Sequence, residues 1–283
     1  MNDKKNIESL IGEGRAALQK GDFSSAKEIW KRIIEQYPEN ATAYNLIGTA
    51  YLQKGDLKEA RDYIKQALQR ENKNPAFMYN MAAVEMANGN IDPVIKLLEL
   101  ALTYESHNPS YWSLLGQAFY RQDKLLQAIQ AYRRSAVLAP NNADTLLKLG
   151  SALFGTRKFV EAALVLQHAT LLAPERAELV NELGCAYKAM GLLGIAVQHL
   201  QKAFKLDPQQ INPLINLGTI SYQQIKIGEA IRLFERALKI DQNHPRVHNN
   251  LGKIYSSLGE HEQALTHYDR ALPNHPRPVT VQN

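Results

Sequence analysis

The sequence predicts an all-α solenoid of eight tandem helical hairpins, each stacking its apolar side on the next, and three observations predict it. Alanine or a residue little larger recurs at Ala26, Ala60, Val94, Ala128, Ala162, Ala196, Ala230 and Ala264, in steps of 34 with no insertion or deletion. A second row of small residues runs twelve positions upstream: Gly14, Gly48, Ala82, Gly116, Gly150, Gly184, Gly218 and Gly252. Within each period the apolar residues fall three and four apart in two blocks separated by a turn signal, which is helical spacing. A fixed period of this length marks a unit that buries its apolar face only by stacking on its neighbours.

The register divides the chain into a flank at 1–6, a single solenoid at 7–272 and a Pro-rich tail at 273–283. Repeats start at Ile7, Ala41, Pro75, Pro109, Ala143, Ala177, Ile211 and Pro245. In the second repeat, helix A is expected from Thr42 to Lys54 and helix B from Leu57 to Arg70, with Gly55-Asp56 as the break. Gly21-Asp22, Gly89-Asn90 and Gly259-Glu260 repeat that break. Pro38, Pro140, Pro174 and Pro208 close helix B in four repeats, and Pro75, Pro109 and Pro245 open the following helix A, where a first-turn proline is tolerated. Helix B carries a large residue four places after each alanine: Trp30, Ile64, Leu98, Tyr132, Leu166, Leu200, Phe234 or Tyr268. These are expected to fill the space beside the small positions of helix A. Two repeats depart from the pattern. The first has Glu13 and Ala17 where Leu and Tyr are usual, and the third has Glu85 at the Tyr position and an early Pro93, with Asp92-Pro93 readable as a cap followed by a first-turn proline.

Trp112, Leu115-Gly116, Phe119, Ala128, Tyr132 and Pro140 in the fourth repeat, and Leu183-Gly184, Tyr187, Gly191, Ala196, Ala203 and Pro208 in the sixth, resemble the tetratricopeptide repeat, in which Trp, Leu-Gly, Tyr, Ala, Phe and Pro recur over 34 residues. The resemblance implies a right-handed superhelical solenoid of tandem helix-turn-helix hairpins whose concave face is lined by helix A.

Composition suits a water-soluble chain. Hydrophobic residues make up 45% of it, no run approaches the roughly 18 apolar residues of a membrane span, and the N-terminal residues lack a signal-peptide core. One cysteine, Cys185, excludes an intrachain disulfide and suits a reducing compartment, so a cytoplasmic location is expected. The net charge of +5 is spread along the chain, and Arg133-Arg134 is an isolated pair, so no nucleic-acid stripe and no nucleic-acid partner are expected. No catalytic constellation emerges. Gly12-Glu13-Gly14 follows no strand, and the segment 155–158 lacks the first glycine of a phosphate loop. His244, His248, His261, His267 and His275 form no ligand spacing, and Cys185 has no cationic neighbour in sequence. The expectation is a non-enzymatic protein without cofactor or metal.

Positions that usually touch ligand in the resembling family then define the candidate binding face. The twelfth position carries Leu52, Met86, Tyr120, Phe154, Lys188 and Tyr222; the fifth carries Asn45, Tyr79 and Asn181; the ninth carries Gln117, Ser151 and Cys185; the thirteenth carries Arg121. At the sixth position stand Asn80, Lys148, Asn216 and Asn250. The asparagine ladder of O-linked N-acetylglucosamine transferases is broken here by Leu46, Leu114, Lys148 and Glu182, and the paired Lys and Asn of heat-shock co-chaperones are missing. Aromatic anchors beside amides suit an extended peptide or partner helix, with Tyr79, Met86, Tyr120 and Phe154 as anchors. The same positions also pack between adjacent helices. The expected role is a protein-interaction scaffold or adaptor. Because Pro-Asn-His-Pro-Arg-Pro after Leu272 cannot build a capping helix, the last hairpin is expected to meet a partner or another copy of the chain. The alternative is that the chain is the substrate-recruiting front segment of a glycosyl- or sulfotransferase.

Overall fold

The computed structural model of the protein describes residues 2–272, so the tail at 273–283, His275 and the missing terminal cap argued from that tail lie outside the described residues. Every element among the described residues is an α-helix. In order they are α1 (Asn2–Gln19), α2 (Phe23–Gln36), α3 (Ala41–Lys54), α4 (Leu57–Arg70), α5 (Pro75–Ala87), α6 (Ile91–Tyr104), α7 (Pro109–Arg121) and α8 (Leu125–Leu138). There follow α9 (Ala143–Gly155), α10 (Phe159–Leu172), α11 (Ala177–Ala189), α12 (Leu193–Leu206), α13 (Ile211–Gln223), α14 (Ile227–Ile240), α15 (Pro245–Ser257) and α16 (His261–Ala271). Residues 2–6 of the flank form the first turns of α1. Two compact bodies divide the chain, Met1–Pro140 and Asn141–Asn283. Within each, a helix packs on its successor, and successive A helices also touch: α3 on α5 and α5 on α7 in the first body, α9 on α11, α11 on α13 and α13 on α15 in the second.

The helix starts have a local cause. Asp22, Asn40, Asn74, Asn108 and Asn142 each precede a helix and accept a hydrogen bond through the side chain from a backbone N–H of its first turn, at 2.9 to 3.1 Å to Ser25, Ala43, Ala76, Ser110 and Thr145. Pro38, Pro140, Pro174 and Pro208 each stand one residue beyond the C-cap of a B helix, where no further helical N–H is required.

The turn from helix A to helix B places one residue in the left-handed region in every repeat. Glycine supplies it at Gly21, Gly55, Gly89, Gly191 and Gly259, whereas Asp123, Arg157 and Ile225 adopt φ of 59°, 62° and 62° at the equivalent places. A β-branched side chain is the least suited to this conformation. Ile225 is also 82% exposed, so its side chain gains little from packing. Ile225→Gly is expected to stabilise the second body by about 1 kcal/mol, read as a rise in the urea midpoint at unchanged slope.

The two rows of small residues meet the large residues of helix B as the register requires. A Cβ placed on Gly48 would lie 2.5 Å from Ile64, on Gly116 2.7 Å from Tyr132, on Gly150 2.6 Å from Leu166 and on Gly218 2.8 Å from Phe234. Trp30, Ile64, Leu98, Tyr132, Leu166, Leu200 and Phe234 are almost wholly buried. Helix A therefore approaches helix B to backbone contact, and the large side chain closes the gap.

The third repeat replaces an apolar packing position with a charge and compensates it. Glu85 is buried, and its Oε2 accepts from Arg61 Nη2 of α4 at 2.6 Å and from Asn90 Nδ2 at 2.8 Å. The cap expected at Asp92 is not formed there: Asn90 is the boundary residue, its amide committed to Glu85, and Asp92 lies inside the helix accepting from Gln122 Nε2 at 2.6 Å. Pro93 stays within the first turn of α6, where its missing N–H costs no helical bond.

Candidate partner-binding face

In the first body the predicted face is carried by α3, α5 and α7. Asn80 Nδ2 of α5 donates to Asn45 Oδ1 of α3 at 2.9 Å, and Arg121 Nη1 of α7 donates to the Met86 carbonyl at 3.0 Å. The fifth, sixth, twelfth and thirteenth positions of adjacent A helices thus meet. Their exposure differs widely. Tyr120 is 42% exposed, whereas Met86 is 5% exposed and Asn45 8%. Met86 is buried in the free chain, and Tyr120 is the open member of that row. Tyr79 is half-buried and stacks on Tyr111 with ring centroids 5.2 Å apart, while Leu52 packs partly against the Ile64 and Met81 cluster. Burial raises the pKa of the Tyr79 hydroxyl, which keeps it a neutral hydrogen-bonding group. Gln117 is half-buried and Arg121 exposed.

In the second body the face is carried by α9, α11, α13 and α15. Phe154 is half-buried against Phe159, with ring centroids 5.2 Å apart, so part of its ring is spent on its own repeat. Tyr222 packs partly on the cluster around Phe234, and Lys148, Ser151 and Asn250 are half-buried. The densest polar arrangement joins α11 to α13. Lys188 Nζ donates to Asn216 Oδ1 at 2.6 Å, and Asn216 Nδ2 contacts Cys185 Sγ at 3.2 Å. Asn181 Nδ2 donates to Glu182 Oε1 at 3.1 Å, and its Oδ1 is buried with no hydrogen-bond partner. Burial pushes the Cys185 thiol up to about 11, with the Glu182 carboxylate adding to it, so at neutral pH it is a thiol and a poor nucleophile. Burial likewise raises the Glu182 pKa and lowers that of Lys188, each by penalising the charged form.

The histidines pair in a way their spacing did not announce. His248 is fully buried on α15, its Nε2 is 2.8 Å from the Gln242 carbonyl, and its Nδ1 is 2.9 Å from Nδ1 of His267 on α16. A carbonyl only accepts, so His248 Nε2 carries a proton, and a single further proton lies between the two Nδ1 atoms. Burial lowers the His267 pKa, with His248 and Arg270 adding to it. The pair tethers the last two helices. Among the described residues no group of three or more His, Cys, Asp or Glu is placed to hold a metal ion, and no helix is long and apolar enough to cross a membrane.

The sequence matches tetratricopeptide repeat profiles over residues 11–75, 51–118, 177–210 and 209–277, and a TPR repeat profile over 116–156. The chain belongs to the tetratricopeptide repeat family. No curated protein matches the sequence. Among solved structures, the TPR chain is similar to one in the APC/C hetero-tetramer Cut9-Hcn1, with 20% identity and a TM-score of 0.66 over 93% of this chain and 53% of that one. It therefore spans about half the length of that relative. It is also similar to PilF of Pseudomonas aeruginosa (18% identity, TM-score 0.69, 75% of this chain and 97% of that one). YrrB, described as a TPR protein with an unusual peptide-binding site, has 19% identity and a TM-score of 0.57 over 65% of this chain and 95% of that one. At these identities the likeness is one of fold. TPR proteins are interaction scaffolds, and a general scaffold role is what this fold supports.

One feature of the TPR faces was not readable from family positions: Cys185 and Asn181 owe their environment to Asn216 and Glu182. Arg246 stands at the second position of its repeat, one of those that usually touch ligand in the family, and its charge is among the lesser causes, after burial, that lower the Lys188 pKa.

Proposed function

We propose that the A-helix face of each body binds an extended polypeptide segment of a partner protein, and that the protein performs no chemistry on it. The observation that carries this reading is the pairing of amide side chains across adjacent A helices, Asn80 with Asn45 and Asn216 with Cys185 and Lys188. An amide has two donors and two acceptor sites, so the half-buried Asn80 retains capacity for the N–H and C=O groups of a bound backbone. Tyr120, the exposed aromatic on α7, supplies an apolar anchor beside the first set. YrrB, a protein of similar fold described as having a peptide-binding site, supports this reading.

The test is affinity capture from native extract with the wild-type protein and a Tyr120→Ala, Asn80→Ala variant whose helical circular dichroism is intact. Captured partner is expected to fall about tenfold, the effect of losing an aromatic anchor and one amide contact. Unchanged capture would overturn the assignment to this face.

A further inference from the structure

The outward side of α10 is apolar where the other B helices present small, polar or charged residues. Val160, Leu164 and Leu171 stand there, 59%, 63% and 76% exposed. The same three positions hold Lys58, Asp62 and Gln69 in the second repeat and Gly228, Arg232 and Lys239 in the seventh. The fifth repeat alone makes all three apolar. With the exposed Gln167 between them, these residues fall four, three and four apart, which is the spacing of a seam between two helices. The stripe is about 16 Å long, at 1.5 Å of rise per residue. Ala162, Ala163, Leu166 and Ala169 on the other side of α10 are buried, so the stripe is surplus to the packing of the repeat. Its ends carry opposite charge. Arg157 precedes the helix and Glu175 follows it, both exposed and neither in an ion pair among the described residues. The adjacent Lys158 and Arg176 are engaged with Glu161 and with Asp144 and Glu178. Arg157 and Glu175 thus each stand at the helix end whose partial charge shares their sign.

We propose that two copies of the chain associate through this stripe, α10 lying antiparallel on α10 across a two-fold axis. The stripe is its own complement in that arrangement. Val160 meets Leu171 of the second copy, Leu164 meets Gln167, and each contact occurs twice. A polar residue in an otherwise apolar seam favours one register over its neighbours. The same operation brings Glu175 of one copy to the Arg157 end of the other. Both charges then gain an opposite partner and face a helix end of opposite sign, whereas a parallel arrangement sets like charges together. A helix from a different protein must reproduce this order of charged and apolar groups, and a second copy carries it already. A single helix pair belongs to the small interfaces, below roughly 1,200 Å² in total, so the dimer forms and exchanges reversibly. The contact uses none of the residues assigned to peptide binding. A dimer therefore presents that face twice, and a partner with a repeated segment gains affinity through avidity.

The experiment is sedimentation velocity on the full chain over a concentration series. The wild-type protein is expected to pass from monomer to dimer with a midpoint on the order of 50 μM, as suits a small interface. Leu164→Arg, at an exposed position that the fold does not need, is expected to hold the protein monomeric throughout the series with its helical circular dichroism intact. Leu265→Arg on α16, a residue of equal exposure, is expected to leave the midpoint unchanged. The charged ends give a test that misfolding cannot mimic. Arg157→Glu and Glu175→Arg are each expected to weaken association about fivefold, because each sets like charges together at both ends of the seam. An equimolar mixture of the two variants restores opposite charges at both ends and is expected to associate as tightly as the wild-type protein. A wild-type protein that stays monomeric throughout the series overturns the proposal and leaves the stripe to a different protein. A dimer that survives Leu164→Arg overturns the assignment to α10. A mixture that associates no better than its components overturns the antiparallel arrangement.

Discussion

Phe234→Ala is expected to cost about 4 kcal/mol and to open the C-terminal hairpins while the rest of the protein stays folded. The ring is 1% exposed and packs among Leu214, Ile215, Val247, Leu251 and Ile254, and it lies against Gly218, where no side chain fills the gap if it is removed. Its loss strips the contacts of α13 and α15 at once. In a chain of repeats the stability of any stretch is the sum of its own hairpins and their interfaces with immediate neighbours. The penalty falls on the hairpins that contain α13 to α16, so these are expected to exchange first. Amide hydrogen exchange is expected to rise through α13–α16 with protection in α3 and α5 unchanged. A single cooperative loss of protection across both bodies would contradict this.

Arg61→Met is expected to cost about 2 kcal/mol, because it takes from the buried Glu85 carboxylate its charged donor and leaves it the neutral Asn90 amide. The figure stands below that of a fully buried ion pair because the Arg61 side chain is 42% exposed and water partly screens the charge. Adding Glu85→Tyr to Arg61→Met is expected to recover most of the loss, since the equivalent position holds Tyr51, Phe119, Tyr187 and Tyr255 in other repeats. Urea denaturation of the two single variants and the double variant closes the cycle. A double variant no more stable than Arg61→Met alone would show that the third repeat has adapted around the charge in ways an aromatic cannot fill.

These two positions also mark how far the sequence could be read. Phe234 belongs to a row whose period assigns its face and its partner Gly218 without any structure, because stacking constrains every copy in the same way. The A and B helices of the second repeat fall within one residue of the expected ends, Ala41 in place of Thr42 being the difference. Glu85 breaks the row, and its compensating partner lies 24 residues away on another helix, beyond any local pattern. The histidine pair of α15 and α16 is hidden in the same way. For the candidate face, the family positions identified the side of helix A that adjacent helices share, but exposure there depends on neighbouring side-chain volume. Met86 and Tyr120 occupy one row and differ from 5% to 42% exposed. The left-handed turn at Ile225 was legible only from register, since its residue type argues against it.

The contact pattern within each body, in which a helix meets its successor and the next A helix in line, has a kinetic consequence. Almost every native contact closes a loop no longer than about one repeat, so little chain entropy is lost before a contact rewards it. Such a body can begin folding at any hairpin and extend outward by zippering. During synthesis, the first hairpins can therefore consolidate before the later ones leave the ribosome, limiting how long their apolar faces stay exposed.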